Sequence, residues 1–198
     1  KMPEKPRIRG SEFELGETVY YQKGGLVKSG FFGTNEFTEL FFEKVRGLFL
    51  PAHLIPIQQQ DMMIENAARV YLDTGKHPEY ATPESDSSLD LLCDERAGER
   101  VMKDTTMAVN QDLLSQGMRL ALFKNNVDTK QNSWGYHLNY SFPREGPSLS
   151  AIVNLLAPYL ATCQMFCGNG HLCVRGGYLS YSISQRSPYI QTDIGGGT

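Results

Sequence analysis

A basic surplus is missing from this 198-residue sequence: 19 Lys and Arg stand against 22 Asp and Glu, a formal net charge of −3. That shortage excludes a general nucleic-acid binder, which needs excess cations to release counterions from phosphate. No apolar run is expected to approach the ~18 residues that a transmembrane helix requires, so no membrane contact is predicted. Residues 1–10 are charged and lack the apolar stretch of a signal peptide, which predicts a cytoplasmic protein. The first residue is not Met, and the chain reads as trimmed. Cysteine is scarce. Cys163, Cys167, His171 and Cys173 crowd into one segment, unlike the separated pairs of a zinc site, so these and Cys93 are expected to be buried free thiols. The four histidines, His53, His77, His137 and His171, offer no catalytic triad. There is no internal repeat, and no low-complexity tract beyond the glycines at 195–197.

What is present is ordinary for a globular protein: 40% hydrophobic and 21% charged residues, on a chain long enough to bury a core. A strand is predicted from residue 7 to about Gly16, then a hairpin or loop over 20–28 punctuated by Gly24, Gly25 and Gly30. Thr34 or Asn35 caps a helix carrying Phe37, Leu40, Phe41, Val45 and Leu48 and closed by Pro51. Short strands are predicted at 53–57 and 67–73. Ser87 and Asp90 form a variant capping box before a long helix. Leu89, Leu92, Val101, Met102, Val109 and Leu113 supply its apolar face, and Gly117 stops it. Strands at 119–124 and 136–142 precede a helix over 148–165. Ile152, Leu155, Leu156, Tyr159 and Leu160 point inward there, and Pro158 kinks it. Two more strands fill 172–186. Long helices between paired strands predict an α+β fold, with helices on one face of a largely antiparallel sheet.

Strand periodicity locates the first candidate chemistry. Glu12 and Glu14 are two apart and share one face, an unfavourable pairing unless a cation or an arginine neutralises it. A solvated strand face gives the same pattern. On the second strand Arg69, Tyr71 and Asp73 share one face, with Val70 and Leu72 on the other. Gly75 and Pro78 then turn the chain so that Glu79 returns to the same neighbourhood. These four residues fit either a surface salt-bridge network or a site where carboxylates hold Mg²⁺, Arg clamps phosphate and an Asp acts as base.

The same segments resemble a known family. Residues 7–16 (RIRGSEFELG) look like the opening strand G-x-E-x-E-x-G of the Pup ligase and Pup deamidase/depupylase family. Residues 68–86 (ARVYLDTGKHPEYATPESD) resemble its central signature, and 94–101 (DERAGERV) its following helix. Residues 123–140 (FKNNVDTKQNSWGYHLNY) resemble its K-N-N-x-D…S-Y-G-x-H-E-N-Y segment, and 182–188 (SISQRSP) its later I-S-Q-R strand. The resemblance implies a glutamine-synthetase-like fold, a curved antiparallel sheet cradling ATP and Mg²⁺. It further implies a ligase that phosphorylates the γ-carboxylate of the C-terminal glutamate of Pup, a small protein modifier. A lysine of a substrate protein then displaces the phosphate, forming an isopeptide bond that marks the substrate for the proteasome. By matching position, Glu12, Tyr71 and Glu79 look like magnesium ligands, with Glu14 assisting. Arg69 and Thr82 look like ATP contacts, and Asp73 like the catalytic aspartate.

The compact stretch between the first strand and the signature resembles the ligase more than the deamidase branch, which carries a long insertion there. A deamidase or depupylase remains the alternative, and a non-catalytic homologue acting as a binding module the third reading. Leu138 stands where the family has Glu after the histidine, Trp134 where it has Tyr, and Leu15 where it has an aromatic. Residues 1–198 read as the N-terminal part of such an ATP/Mg²⁺ domain, without the family's C-terminal remainder.

Overall fold

Alternation through residues 9–14 builds β1 (Arg9–Glu14), whose odd member Phe13 enters the apolar core while Glu12, half-buried, and Glu14, buried, lie on the opposite face. After Leu15 the chain enters β2 (Gly16–Lys23), which forms a hairpin with β3 (Leu26–Phe31). The computed structural model describes residues 7–23, 26–31, 35–50, 57–128 and 132–190. The predicted turn at Gly24–Gly25, the cap at Thr34, the stop at Pro51 and most of the strand over 53–57 therefore lie outside the described residues. Helix α1 (Asn35–Phe49) follows, then β4 (Asp61–Met63), β5 (Arg69–Leu72) and β6 (Pro78–Ala81). The long α2 (Ser88–Leu113) leads through a 3-10 turn to Gly117, whose φ of 64° is the left-handed geometry glycine adopts without penalty. Then come β7 (Met118–Phe123), β8 (Tyr136–Tyr140), α3 (Leu149–Cys167), β9 (His171–Arg175) and β10 (Tyr178–Ser182).

The chain divides into two units, Lys1–Lys124 with Tyr136–Ser141, and Asn125–Gly135 with Phe142–Thr198. The first holds a five-stranded sheet in the order β4-β5-β6-β1-β8 and a three-stranded sheet β3-β2-β7, every described pair antiparallel. The expected antiparallel sheet is thus divided in this unit into two, linked by the chain where β1 runs into β2, and β9 and β10 form a third among the described residues of the other unit. Register sorts the larger sheet into alternating rows. Met62, Val70, Tyr80 and Phe13 lie abreast on the buried side, with the Phe13 and Tyr80 rings stacked 5.5 Å apart. Val101, Met102, Val109 and Leu113 of α2, together with Phe41, Phe42 and Val45 of α1, complete that core. Leu89 and Leu92 do not join it. They are exposed, because the first two turns of α2 precede its buried stripe, which starts at Gly98.

In the second unit, α3 begins at the N-cap Ser148, whose hydroxyl accepts from the Ala151 amide. None of its residues is buried, so the predicted inward face of Leu155, Tyr159 and Leu160 is instead exposed. By length and composition alone α3 could cross a membrane, with a mean hydropathy of 1.4. This departs from the expected lack of an apolar run near ~18 residues, because Ser150, Asn154, Thr162 and Gln164 interrupt the run without adding charge. β9 and β10 pair through a two-residue turn at Gly176 and Gly177, both at positive φ as a type I′ turn requires. All four cysteines are free, but only Cys173 is buried; Cys93 and Cys167 are exposed, contrary to expectation.

Candidate active site

The rows that alternate with the core carry the polar chemistry. In one row Asp61, Tyr71, Glu79 and Glu14 lie abreast on β4, β5, β6 and β1. In the next, Met63, Arg69, Ala81, Glu12 and His137 run from β4 to β8. Direct cross-strand neighbours share a face, so Glu12, Glu14, Arg69, Tyr71 and Glu79 all converge on one side of the sheet. Asp73 joins them from the turn after β5. Its amide donates to the His77 carbonyl at 3.0 Å and its carbonyl accepts from Lys76 at 2.7 Å, which anchors the backbone that presents the carboxylate.

Two clusters result, and they share Glu79. One ligand atom each from Glu12, Glu79 and His137 lie within 4.8 Å of one another, as do one each from Glu14, Asp73 and Glu79. Glu79 is only 2% exposed, and among the described residues its Oε1 has no hydrogen-bond partner, His137 Nδ1 standing 4.0 Å away. Burial pushes its carboxyl up to about 7; the charges of Glu14, Asp73 and Glu12 add to this, against a hydrogen bond from the Tyr71 phenol. Burial, then Glu79 and Glu12, also push the Tyr71 hydroxyl upward, so it stays a neutral phenol. A buried acceptor without a hydrogen bond, among like charges, is costly by itself. Oxygen-rich ligands with one imidazole suit a hard divalent cation such as Mg²⁺, and the residues present therefore fit one.

β8 holds Glu12 from the side. Asn139 Nδ2 donates to one carboxylate oxygen at 3.0 Å, and His137 Nδ1 stands 3.3 Å from the other. Glu14 in turn has His77 Nδ1 at 3.6 Å. Leu138, in place of the Glu suggested by the resemblance, pairs with Ser11. It therefore points to the face away from His137 and Asn139, and its apolar side chain removes no ligand from the cluster.

The two expected ATP contacts are placed differently. Arg69 lies on the site face, but its Nε and Nη2 donate to the two carboxylate oxygens of Asp61, both at 2.8 Å, and its guanidinium lies 4.3 Å from the Tyr71 ring centroid. Thr82 follows the last site-facing residue of β6. Its Oγ1 accepts from the Ser11 amide at 3.0 Å, joining β1 to the strand's exit. Asp61 and Asn139 are site residues that the sequence patterns above do not single out. Asn139 lies in a matched motif with the alternation of a strand, which was signal enough to find it.

A family model described as Pup-ligase protein matches residues 28–198. The Pup–protein ligase of Mycobacteroides abscessus is 40% identical over 143 residues, covering 71% of this chain and 31% of that relative. The Mycolicibacterium smegmatis Pup–protein ligase is 38% identical over the same length and shares. Among solved structures, a complex between the modifier Pup and its ligase PafA matches with a TM-score of 0.76 at 33% identity, over 94% of this chain and 36% of that one. The Pup ligase PafA in complex with ADP matches with a TM-score of 0.60 at 32% identity, over 85% and 35%. The fold is accordingly α+β and glutamine-synthetase-like, and the chain spans about a third of the length of the relatives it matches.

Proposed function

The chain belongs to the Pup-ligase family, and from that premise we propose that it serves an ATP-dependent ligase joining the C-terminal glutamate of a Pup-like modifier to lysines of substrate proteins in the cytoplasm. The observation that carries this reading is the convergence of Glu12, Glu14, Tyr71, Asp73 and Glu79 on one sheet face around the buried Oε1 of Glu79, which takes no hydrogen bond from the described residues. In this reading Glu12, Glu79 and His137 hold one cation, with Glu14 and Tyr71 beside it. Bound Mg²⁺ supplies charge neutralisation for the phosphates of ATP. Arg69 contacts the nucleotide with the donors Asp61 leaves over, and the Thr82 hydroxyl keeps its own proton to donate.

The modifier's γ-carboxylate attacks the γ-phosphorus of ATP, releasing ADP and leaving an acyl phosphate. Asp73 then takes a proton from the lysine ammonium, because only the neutral amine is a nucleophile. That amine attacks the acyl carbon and inorganic phosphate leaves, which closes the isopeptide bond. Position favours Asp73 for this role, since it sits on a turn at the rim of the cluster rather than within a strand. The curated relatives above are named ligases, which supports conjugation over deamidation.

Incubating the chain with a modifier ending in Glu, a lysine-bearing target, ATP and Mg²⁺ tests the proposal. A conjugate of higher mass and stoichiometric ADP are expected. Release of modifier from a preformed conjugate without any conjugation would replace ligase with depupylase. Asp73→Asn should cut conjugation by a factor of roughly a hundred or more while leaving ADP affinity within about twofold; unimpaired turnover would remove Asp73 as the base.

A further inference from the structure

Arg69 sits in an environment that should pull it onto the wrong partner. In register it is separated from Glu12 only by Ala81, whose side chain is too small to stand between them. Two strand spacings amount to about 9.6 Å between backbones, a gap that an Arg and a Glu side chain together bridge easily. An Arg69–Glu12 ion pair would occupy an oxygen that the cation cluster needs, and would turn the guanidinium away from any incoming phosphate. The structure shows something else. Asp61 takes Nε and Nη2 in a two-point fork at 2.8 Å each, from the opposite side of Arg69. The fork leaves Nη1 and the outer N–H of Nη2, which donate to none of the described residues.

Asp61 is well placed to hold that geometry. Its side chain is only 14% exposed against 44% for Arg69. Its backbone is fixed by two hydrogen bonds with Gln58, 2.9 and 3.3 Å, and by the β4–β5 ladder, which sets it directly opposite Tyr71. The Tyr71 ring, 4.3 Å from the guanidinium carbon, limits tilt of the plane. Partly buried fork-to-carboxylate pairs of this kind fix orientation as well as position.

We propose that Asp61 is a positioning residue: it holds Arg69 away from Glu12 and presents the free edge of the guanidinium to a phosphate of the bound nucleotide. The inference rests on the reading that this sheet face takes a nucleotide at Arg69. It makes a prediction opposite in sign to simple charge. Removing a carboxylate near an anionic ligand should tighten binding by Coulomb's law, whereas loss of a positioning residue should weaken it.

Calorimetric titration of the full chain with ADP in excess Mg²⁺ separates these outcomes, using Asp61→Asn, Arg69→Gln and the double variant. Asp61→Asn is expected to raise the dissociation constant about tenfold, and the double variant to bind no more weakly than Arg69→Gln alone. Unchanged or tighter binding by Asp61→Asn, or additive losses in the double variant, would overturn the role of Asp61. If Arg69→Gln binds as well as wild type, it is the nucleotide contact at Arg69 that fails, and the role of Asp61 falls with it. Asp61→Ser takes the same measurement should the Asn variant not fold.

Discussion

Glu17 and Glu79 are both buried carboxyls, and each makes stability or binding depend on pH. Burial pushes Glu17 up to about 9, and among the described residues its Oε2 has no hydrogen-bond partner. Because the folded chain keeps this proton longer than the unfolded one, its stabilising effect is complete below the ordinary value of 4.5 and is lost as pH rises toward 9. Glu17→Gln cannot lose a proton. Denaturant melts at several pH values should therefore show the variant gaining on wild type steadily as pH rises from about 5 to 8, by up to about tenfold in the folding equilibrium per pH unit; parallel curves would mean that Glu17 ionises freely. Glu79 behaves differently because a cation can replace its proton. With its carboxyl at about 7, Mn²⁺ or Mg²⁺ should bind progressively tighter as pH rises to 7, by up to about tenfold per unit, and level off above it. Titrations in buffers of different ionisation enthalpy should count about one proton released per cation at pH 6. Sequence alone made most of this cluster visible, because Glu12 with Glu14 and Tyr71 with Asp73 keep strand period. Asp61 stayed hidden. Its strand is three residues long, too short for alternation to emerge from Gln58-Gln59-Gln60-Asp61-Met62-Met63.

At the scale of elements, α2 shows what periodicity captures and what it misses. Ser87 caps the helix as its spacing from Asp90 predicts, with Oγ accepting from the Asp90 amide at 3.0 Å. Val101, Met102, Val109 and Leu113 are buried as expected, but the same stripe includes Gly98 and Thr105, which no apolar pattern selects. Gly98 is there for space. A Cβ at that position would lie 2.4 Å from two ring carbons of Tyr80, the residue stacked on Phe13 beneath the carboxylate strand. Gly98→Ala improves helix propensity by ~1 kcal/mol yet forces the ring to move in a packed core, at a cost of about 1–3 kcal/mol or more. A net loss of about 1 kcal/mol, up to about 2, in a urea melt is expected, together with weaker Mn²⁺ binding, since Tyr80 stands between Glu79 and Ala81 in β6. A variant as stable as wild type would show that the helix can shift away from the sheet freely. Leu89 and Leu92 mark the opposite error. They have core chemistry and helical spacing, but the helix outruns what it covers.

For the whole molecule, apolar residues are distributed unequally between the two units. The first unit places Phe13, Tyr80, Val70, Met62 and the inner faces of α1 and α2 in one core. In the second, none of the residues of α3 is buried, and Leu172, Val174, Tyr178, Leu179 and Tyr181 of the hairpin are exposed. Its internal ties are mainly polar: Gln185 Oε1 accepts from the Asn126 amide at 2.8 Å, and Ser184 Oγ donates to Gln164 Oε1 at 2.6 Å. Apolar burial is the main source of folding free energy, so the second unit should open first. The sequence could not reveal this, because hydrophobic periodicity identifies a face without saying whether anything covers it. Trp134, the single tryptophan, is buried and belongs to the second unit, which makes it a local reporter. In a denaturant titration its fluorescence should change at a lower midpoint than far-UV circular dichroism. Excess Mg²⁺ should raise the dichroism midpoint, because every candidate cation ligand lies in the first unit, and leave the fluorescence midpoint within error. Coincident midpoints that rise together with Mg²⁺ would show instead that the two units unfold as one cooperative block.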